Sequence, residues 1–424
     1  MNIFSKYKKI WLVIGFVTIT ILIGYLFYKM FFSAPLQITP ELTPTTGVGG
    51  ELPQAGEGGV QQGTTGTGQF PGSGDVTGGG TTTTPPGTGQ PDPNQATTLA
   101  SGGLTITKAL VTSSSLKPTL NSNGSIQYYN REDGFFYRVG SNGNISKMSD
   151  KVFYSVKDVT WAPDSNKAIL EYPDGSKMLY NFTTKKQINY PKYWEEFSFS
   201  PQSDQVIAKS IALDPGNRFL TVAGIDGSAA QNIEEIGLNA DKVITDWSPN
   251  NQIVATYTKS LDFDRQEVFF VGLNGENFKS TIVEGRGLTY EWSKTGDRLL
   301  YSVYNTRSDL KPKLWVVDAQ GDTINQNRRS LEINTWADKC VFASNTEIYC
   351  AVPTQLESGA GIFREIANQA KDEIYKIDLE TGNTKLVAIP DGSFNVNDIM
   401  VDDGQTNLSF SDLNSGAIYQ IQLK

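Results

Sequence analysis

Two patterns of apolar and polar positions alternate through the last three quarters of this chain. The first is a turn followed by an apolar run: an apolar residue, Ser or Ala, Pro or a polar residue, then Asp, Asn or Gly, then a strand. Its copies are TWAPDSNKAIL from Thr160, SFSPQSDQVIA from Ser198, DWSPNNQIVA from Asp246 and EWSKTGDRLL from Glu291, with a decayed copy, TWADKCVFA, from Thr335. The second is a run of period-two alternation that ends in a Gly-containing turn. It reads FFYRVGSNG, FLTVAGIDG, EVFFVGLNG, KLWVVDAQG and EIYKIDLETG. Alternation broken by Gly, Asn and Asp is the signature of strand hairpins.

The anchoring aromatics of the first pattern are Trp161, Phe199, Trp247, Trp292 and Trp336, spaced 38, 48, 45 and 44 residues apart. A period near 40–45 residues built from short strands marks a β-propeller, with one repeat per blade. The markers divide the chain into seven units, at residues 118–150, 159–190, 197–236, 243–284, 288–333, 335–389 and 396–424. Each should supply four antiparallel strands, a to d, from the central channel outward. The last unit has only three, and LTITKAL at residues 104–110 belongs to no other blade. This segment is expected to pair as the outer strand of blade seven, closing the ring and leaving no naked edge; the alternative is an independent cap strand. The aromatics Trp161, Trp247 and Trp292 are expected to lie buried between neighbouring blades.

In a propeller the b-to-c and d-to-a loops share one face, and the a-to-b and c-to-d loops share the other. The long connections here are of the b-to-c type, at residues 213–217, 261–265, 305–313 and 354–371, the last with a short helix in IFREIANQA. Long loops gathered on a rigid scaffold are where binding resides. The candidate binding residues are therefore Asp214, Arg218, Asp262, Asp264, Arg265, Arg307, Asp309, Arg364 and Glu365.

The N-terminus has a different pattern. Residues 10–28 form an acid-free apolar run of 19 residues, preceded by Lys6, Lys8 and Lys9. About 20 apolar residues cross a bilayer, and flanking lysines stay on the cytoplasmic side. The expectation is a cytoplasmic basic segment at residues 1–9 and a single transmembrane signal-anchor helix at 10–32, with everything that follows extracytoplasmic. A cleaved signal peptide is the alternative. Residues 33–103 are Gly, Thr, Pro and Gln with almost no large apolar side chain and no Lys or Arg. Such a composition cannot bury enough apolar area to offset chain entropy, so it reads as a disordered tether. The propeller then occupies residues 104–424, and its entry point leaves the b-to-c face pointing away from the membrane.

Charge and composition narrow the chemistry. The formal net charge is −9, nearly all of it beyond residue 32, which argues against a nucleic-acid partner. The chain has no histidine, which removes histidine-based catalysis and imidazole metal ligands. No cofactor and no required metal are expected. Cys340 and Cys350 flank the hairpin CVFASNTEIYC; with Asn345 at the centre of a three-residue turn they face each other, close enough for a disulfide in an oxidising compartment. Two buried free thiols are the alternative.

The WAPD, FSPQSD, WSPN and WSKTGD turns resemble the PD40 repeats of TolB-like propellers over residues 118–424. The resemblance implies the fold and carries no catalytic residue. The N-terminal α/β domain of TolB is replaced here by the anchor and tether, and the hydrolase domain of prolyl-oligopeptidase-like enzymes is absent. The expected function is a non-catalytic binding or scaffolding module, tethered to the membrane, for a protein, a peptide or an envelope glycan. The alternative is a carboxylate-based glycan-active enzyme in the central pocket.

Overall fold

The structure is a computed structural model that describes residues 16–25 and 95–424. Residues 16–25 form a helix. No helix among the described residues is long and apolar enough to cross a membrane. The rest of the expected anchor, the basic segment before it and the tether up to residue 94 lie outside the described residues.

Residues 95–424 form seven radially arranged sheets, each built on four antiparallel strands, the blades of an all-β propeller. The first blade holds strands Ser115–Leu120, Ile126–Asn130, Phe136–Val139 and Ile145–Lys147. The fifth holds Arg286–Trp292, Arg298–Tyr304, Lys313–Asp318 and Arg329–Ser330. Within each blade the two middle strands read as nearly continuous apolar runs, such as Lys167–Glu171 and Arg298–Tyr304, because each is covered on both sides. The core is accordingly divided among the clefts between blades. Ile253, Val268 and Phe270 of blade four pack on Leu299 and Tyr301 of blade five, and Leu300, Leu314 and Val316 on blade five's other side pack on Ile348 and Ile377 of blade six.

The repeated turn has a physical reason at each position. The Ser side chain is buried at Ser200, Ser248 and Ser293, and its oxygen accepts the first strand b amides, as from Gln205 N at 3.0 Å, Ile253 N at 2.9 Å and Arg298 N at 3.0 Å. The residue three beyond the Ser or Ala adopts positive φ in the first four copies: Ser165, Ser203, Asn251 and Gly296 lie between 58° and 70°. That conformation favours Gly or Asn, which explains the polar and Gly-rich end of the motif. The fifth segment, from Thr335, is not such a turn: it precedes the inner strand Cys340–Phe342, and Cys340 has φ −123°. Of the anchoring aromatics, Phe199, Trp247 and Trp336 are buried, whereas Trp161 and Trp292 are only partly buried at the edge of their clusters. Both still lie between neighbouring blades: Trp161 meets Phe136 of blade one edge-on at 5.6 Å and stacks on Phe182 of blade two at 5.4 Å, and Trp292 packs beside Phe270 of blade four at 6.4 Å, so only full burial is not met.

Ring closure follows the sequence expectation in its main feature. Lys108–Val111 pairs antiparallel with Ile418–Gln422, the last strand of the chain, as the outer strand of blade seven. The start of the same segment does something else. Leu104–Thr105 pairs in parallel with Thr384–Pro390 as a fifth strand on blade six. Ordered pairing begins before residue 104 as well: Ala100 N donates to Gln422 O and Gly102 N to Val387 O, at 2.9 and 2.8 Å. The entering chain is therefore wedged between blades six and seven, hydrogen-bonded to both. Cys340 and Cys350 sit directly opposite each other in the blade six register and are joined as a disulfide.

Candidate functional site

The long b-to-c loops are tied to one another across blades. Blade four reaches blade five through Asp264, whose carboxylate accepts from Thr306 N at 2.9 Å and Thr306 Oγ1 at 2.6 Å. Blade five reaches blade six through Asp309 and Leu310, both at positive φ. Ser358 Oγ donates to Asp309 Oδ1 at 2.8 Å, and Gly361 N donates to Leu310 O at 2.8 Å. Only glycine fits at position 361, since a Cβ there would meet Tyr304 Cβ at 2.4 Å. Arg364 folds back onto Asp338 at 2.5 Å and over the Trp336 ring at 4.8 Å. The loops thus form a braced surface.

Between blades four and five this surface opens into a cavity of about 550 Å³. It brings together four of the residues expected from sequence, Asp262, Asp264, Arg265 and Arg307, with Phe263, Glu284, Asn305, Lys313 and Trp315 added. Asp262 pairs with Arg265 at 2.6 Å, and that guanidinium holds its carboxyl below the usual range. The Thr306 hydroxyl and amide do the same for Asp264. Arg307 is exposed and makes no hydrogen bond or ion pair among the described residues. The carboxylates of this cavity are committed to holding loops, and its uncommitted charge is the Arg307 cation.

The other expected residues stand apart. Asp214 caps the short helical turn Pro215–Asn217, accepting from Gly216 N at 3.1 Å, and Arg218 Nε donates to Ala212 O at 2.8 Å. Both serve their own loop on blade three. Glu365 is exposed in the helical turn Arg364–Ala367, where the sequence placed a short helix. Asp309 acts as the brace to blade six described above.

The feature that sequence reading missed is apolar. Tyr154, Tyr193, Leu213, Leu238, Leu261, Phe263, Ile362, Phe363, Ile366 and Leu413 are exposed large hydrophobics, and every one lies in a b-to-c or d-to-a loop. Leu213 is 99% exposed, Phe363 62% and Phe263 60%. Among the described residues no exposed large hydrophobic lies in an a-to-b or c-to-d loop; the remainder are in the residue 16–25 helix, the entering segment and two outer strands. The two faces of the propeller therefore differ sharply in chemistry.

The central channel holds a separate group of acids. Asp246 and Glu291 are half-buried at the ends of inner strands. Desolvation by the channel walls pushes Asp246 up to about 7, eased by the nearby Trp292 indole. Desolvation, with the Asp246 and Asp338 charges, pushes Glu291 up to about 8. A cavity of about 370 Å³ in the channel is lined by Glu291, Asp338 and Asp398 with Lys294. Among the described residues no group of three or more acidic or thiol side chains could hold a metal ion.

This architecture is shared with known propellers. The chain is similar to an oligogalacturonate lyase solved in complex with manganese, at 12% identity and a TM-score of 0.54, covering 78% of this chain and 96% of that one. It is also similar to the β-propeller domain of Cps50 (Swd1) from Myceliophteria thermophila, at 12% identity and a TM-score of 0.50, covering 75% of this chain and 100% of that one. At such identity the likeness is one of fold, and the class defined is the seven-bladed β-propeller. No family model matches the sequence, and no curated protein matches it.

Proposed function

We propose that this chain is a membrane-tethered, extracytoplasmic member of the TolB-like propellers that binds a partner protein, without catalysis, on its b-to-c face. The observation that carries the reading is the confinement of exposed aromatic and aliphatic loop residues to that face. Contiguous exposed apolar surface rimmed by polar groups marks protein interaction sites. The braced loops support it, since loops already held in place lose less conformational freedom on binding. The cavity beside Phe263 offers a recess for an acidic anchor of the partner, because Arg307 is its uncommitted charge. The tether and anchor follow from the acid-free apolar run and its lysine flank, which give the bound partner a place near the membrane.

The test is capture from native membranes by chemical crosslinking and mass spectrometry. The full chain should enrich one or a few proteins reproducibly. The double variant Phe263→Asp, Phe363→Asp should lose them while keeping its fold, because both side chains already face solvent. Undiminished capture by the double variant defeats the reading.

A second reading, a glycan-active enzyme, is favoured by Asp246 and Glu291 alone. Carboxyls raised toward neutrality can serve as general acids at pH 7. Its test is turnover of envelope glycans that disappears in both Asp246→Asn and Glu291→Gln.

A further inference from the structure

Lys339, Asp372 and Asn395 form a buried polar triad that the binding surface does not use. Their side chains come from three separate elements. Lys339 ends the helical turn Ala337–Lys339 ahead of blade six's inner strand. Asp372 opens the strand Asp372–Asp378 of the same blade, and Asn395 immediately precedes Val396–Val401, the inner strand of blade seven. All three are nearly inaccessible, at 3%, 3% and 4% exposure. Lys339 Nζ lies 2.7 Å from Asp372 Oδ2 and 2.9 Å from Asn395 Oδ1.

The surroundings fix this arrangement. Asn395 Nδ2 donates to Ala367 O at 2.8 Å, so the amide carbonyl is the side presented to the lysine. Val396 N donates to Asp372 Oδ2 at 2.7 Å, while Asp372 Oδ1 is buried without a hydrogen-bond partner among the described residues. The Trp336 ring lies 6.0 Å from Nζ, and the Asp338 and Arg364 charges stand close by. Burial pushes the lysine pKa down and the aspartate pKa up, each against the pull of its partner. Both shifts move the pair toward the neutral amine and the neutral acid, relative to the same groups in water. As a stabilising device alone the triad is poor, because taking two charges out of water offsets most of their attraction. As a reaction centre it has an amine, an acid to move protons, and an amide carbonyl within contact distance.

We infer that Lys339 and Asn395 join through an isopeptide bond between Nζ and Cγ, with Asp372 as proton shuttle. The ammonium first gives a proton to Asp372. The freed Nζ lone pair attacks Asn395 Cγ, and the carbonyl π electrons move to Oδ1. When that carbonyl re-forms, the Cγ–Nδ2 bond breaks. Asp372 protonates the departing nitrogen and takes one of the two protons left on Nζ, the other staying as the amide N–H. Ammonia leaves, carrying the proton from Asp372 away as ammonium, and Asp372 returns to the carboxylate. No oxidant or co-reactant is needed. The product is a covalent link from blade six to blade seven. These are the two blades between which the entering chain is wedged, and the Cys340–Cys350 disulfide lies on the adjacent residue.

The test is peptide mapping of the full chain after denaturation, reduction and trypsin digestion. The expected product is peptide 330–364, uncleaved at Lys339 and joined to peptide 386–424, with a combined mass lower by one ammonia, about 17 Da. Lys339→Arg should abolish it. Asp372→Asn should abolish it as well, in protein whose circular dichroism matches wild type. Cleavage at Lys339 with both peptides at full mass in folded wild-type protein overturns the inference. So does an ammonia loss confined to peptide 386–424, which is succinimide formation at Asn395 without the cross-link.

Discussion

Deleting residues 104–110 should open the ring. The deletion removes the parallel pairs Leu104↔Ile389 and Thr105↔Pro390 on blade six and the antiparallel pairs Lys108↔Gln420 and Ala109↔Tyr419 on blade seven. It also removes two contacts to Asp391: the bond from Asp391 N to Thr105 O and the bond from Thr107 N to Asp391 Oδ1, both 3.0 Å. At about 1 kcal/mol net per hydrogen bond, these contribute roughly 3–5 kcal/mol. Leu110 is 7% exposed in the cluster between blades seven and one, and its burial is worth about 1.5–3 kcal/mol. The sum, about 5–8 kcal/mol, is comparable to the whole stability of a typical domain, 5–15 kcal/mol. The strand Ile418–Gln422 would also become an unpaired edge and a template for aggregation. The assay is denaturant unfolding followed by tryptophan fluorescence, with light scattering. Deleting residues 43–89 from the full chain is the control and should change neither readout. Equal unfolding midpoints for the parent and the 104–110 deletion would refute the closure argument.

Three further outcomes are expected. Trp247→Ala should cost about 3–5 kcal/mol, because the ring is buried between blades three and four and its Nε1 donates to Asn251 Oδ1 at 2.7 Å; a melting temperature within a degree of wild type would rule this out. Asp246 and Glu291 are raised in the folded state, so their contribution to stability is complete below about pH 4 and lost as pH rises through about 7 and about 8. The melting temperature should therefore fall between pH 5 and pH 8.5, and Asp246→Asn should flatten the profile; an unchanged slope in the variant contradicts the assignment. Protease added to intact cells or spheroplasts should release a folded fragment starting near residue 95, and protection until the inner membrane is opened would reverse the expected orientation.

The blades were legible in the sequence because the repeat carries its own mechanism. A residue at positive φ every 38–48 residues, preceded in three of the four turns by a Ser that accepts strand b amides, leaves a visible mark. The Cys340–Cys350 pairing was legible for the same reason, since hairpin register follows from turn length. The candidate site was legible only in part. Its loops stood out by length and charge, yet what unites Asp264 with Thr306 is contact between blades 42 residues apart in sequence. Nor does local pattern tell an exposed loop Phe263 or Phe363 from one folded inward, so the apolar face emerged only in three dimensions. The parallel pairing of Leu104–Thr105 was hidden because two residues carry no periodicity, and their position is set by the wedge between blades. Trp161 and Trp292 share the motif of Trp247 but are only partly buried, a difference that the repeat does not encode.

The measurement that tests the central claim most directly is site-specific photo-crosslinking in living cells. A photoreactive residue placed at Phe263 or Phe363 on the b-to-c face should trap the same partner protein. Placed at Asn251 or Asp164, in a-to-b turns on the opposite face, it should trap none. Equal trapping from both faces, or trapping from Asn251 and Asp164 alone, would contradict the account.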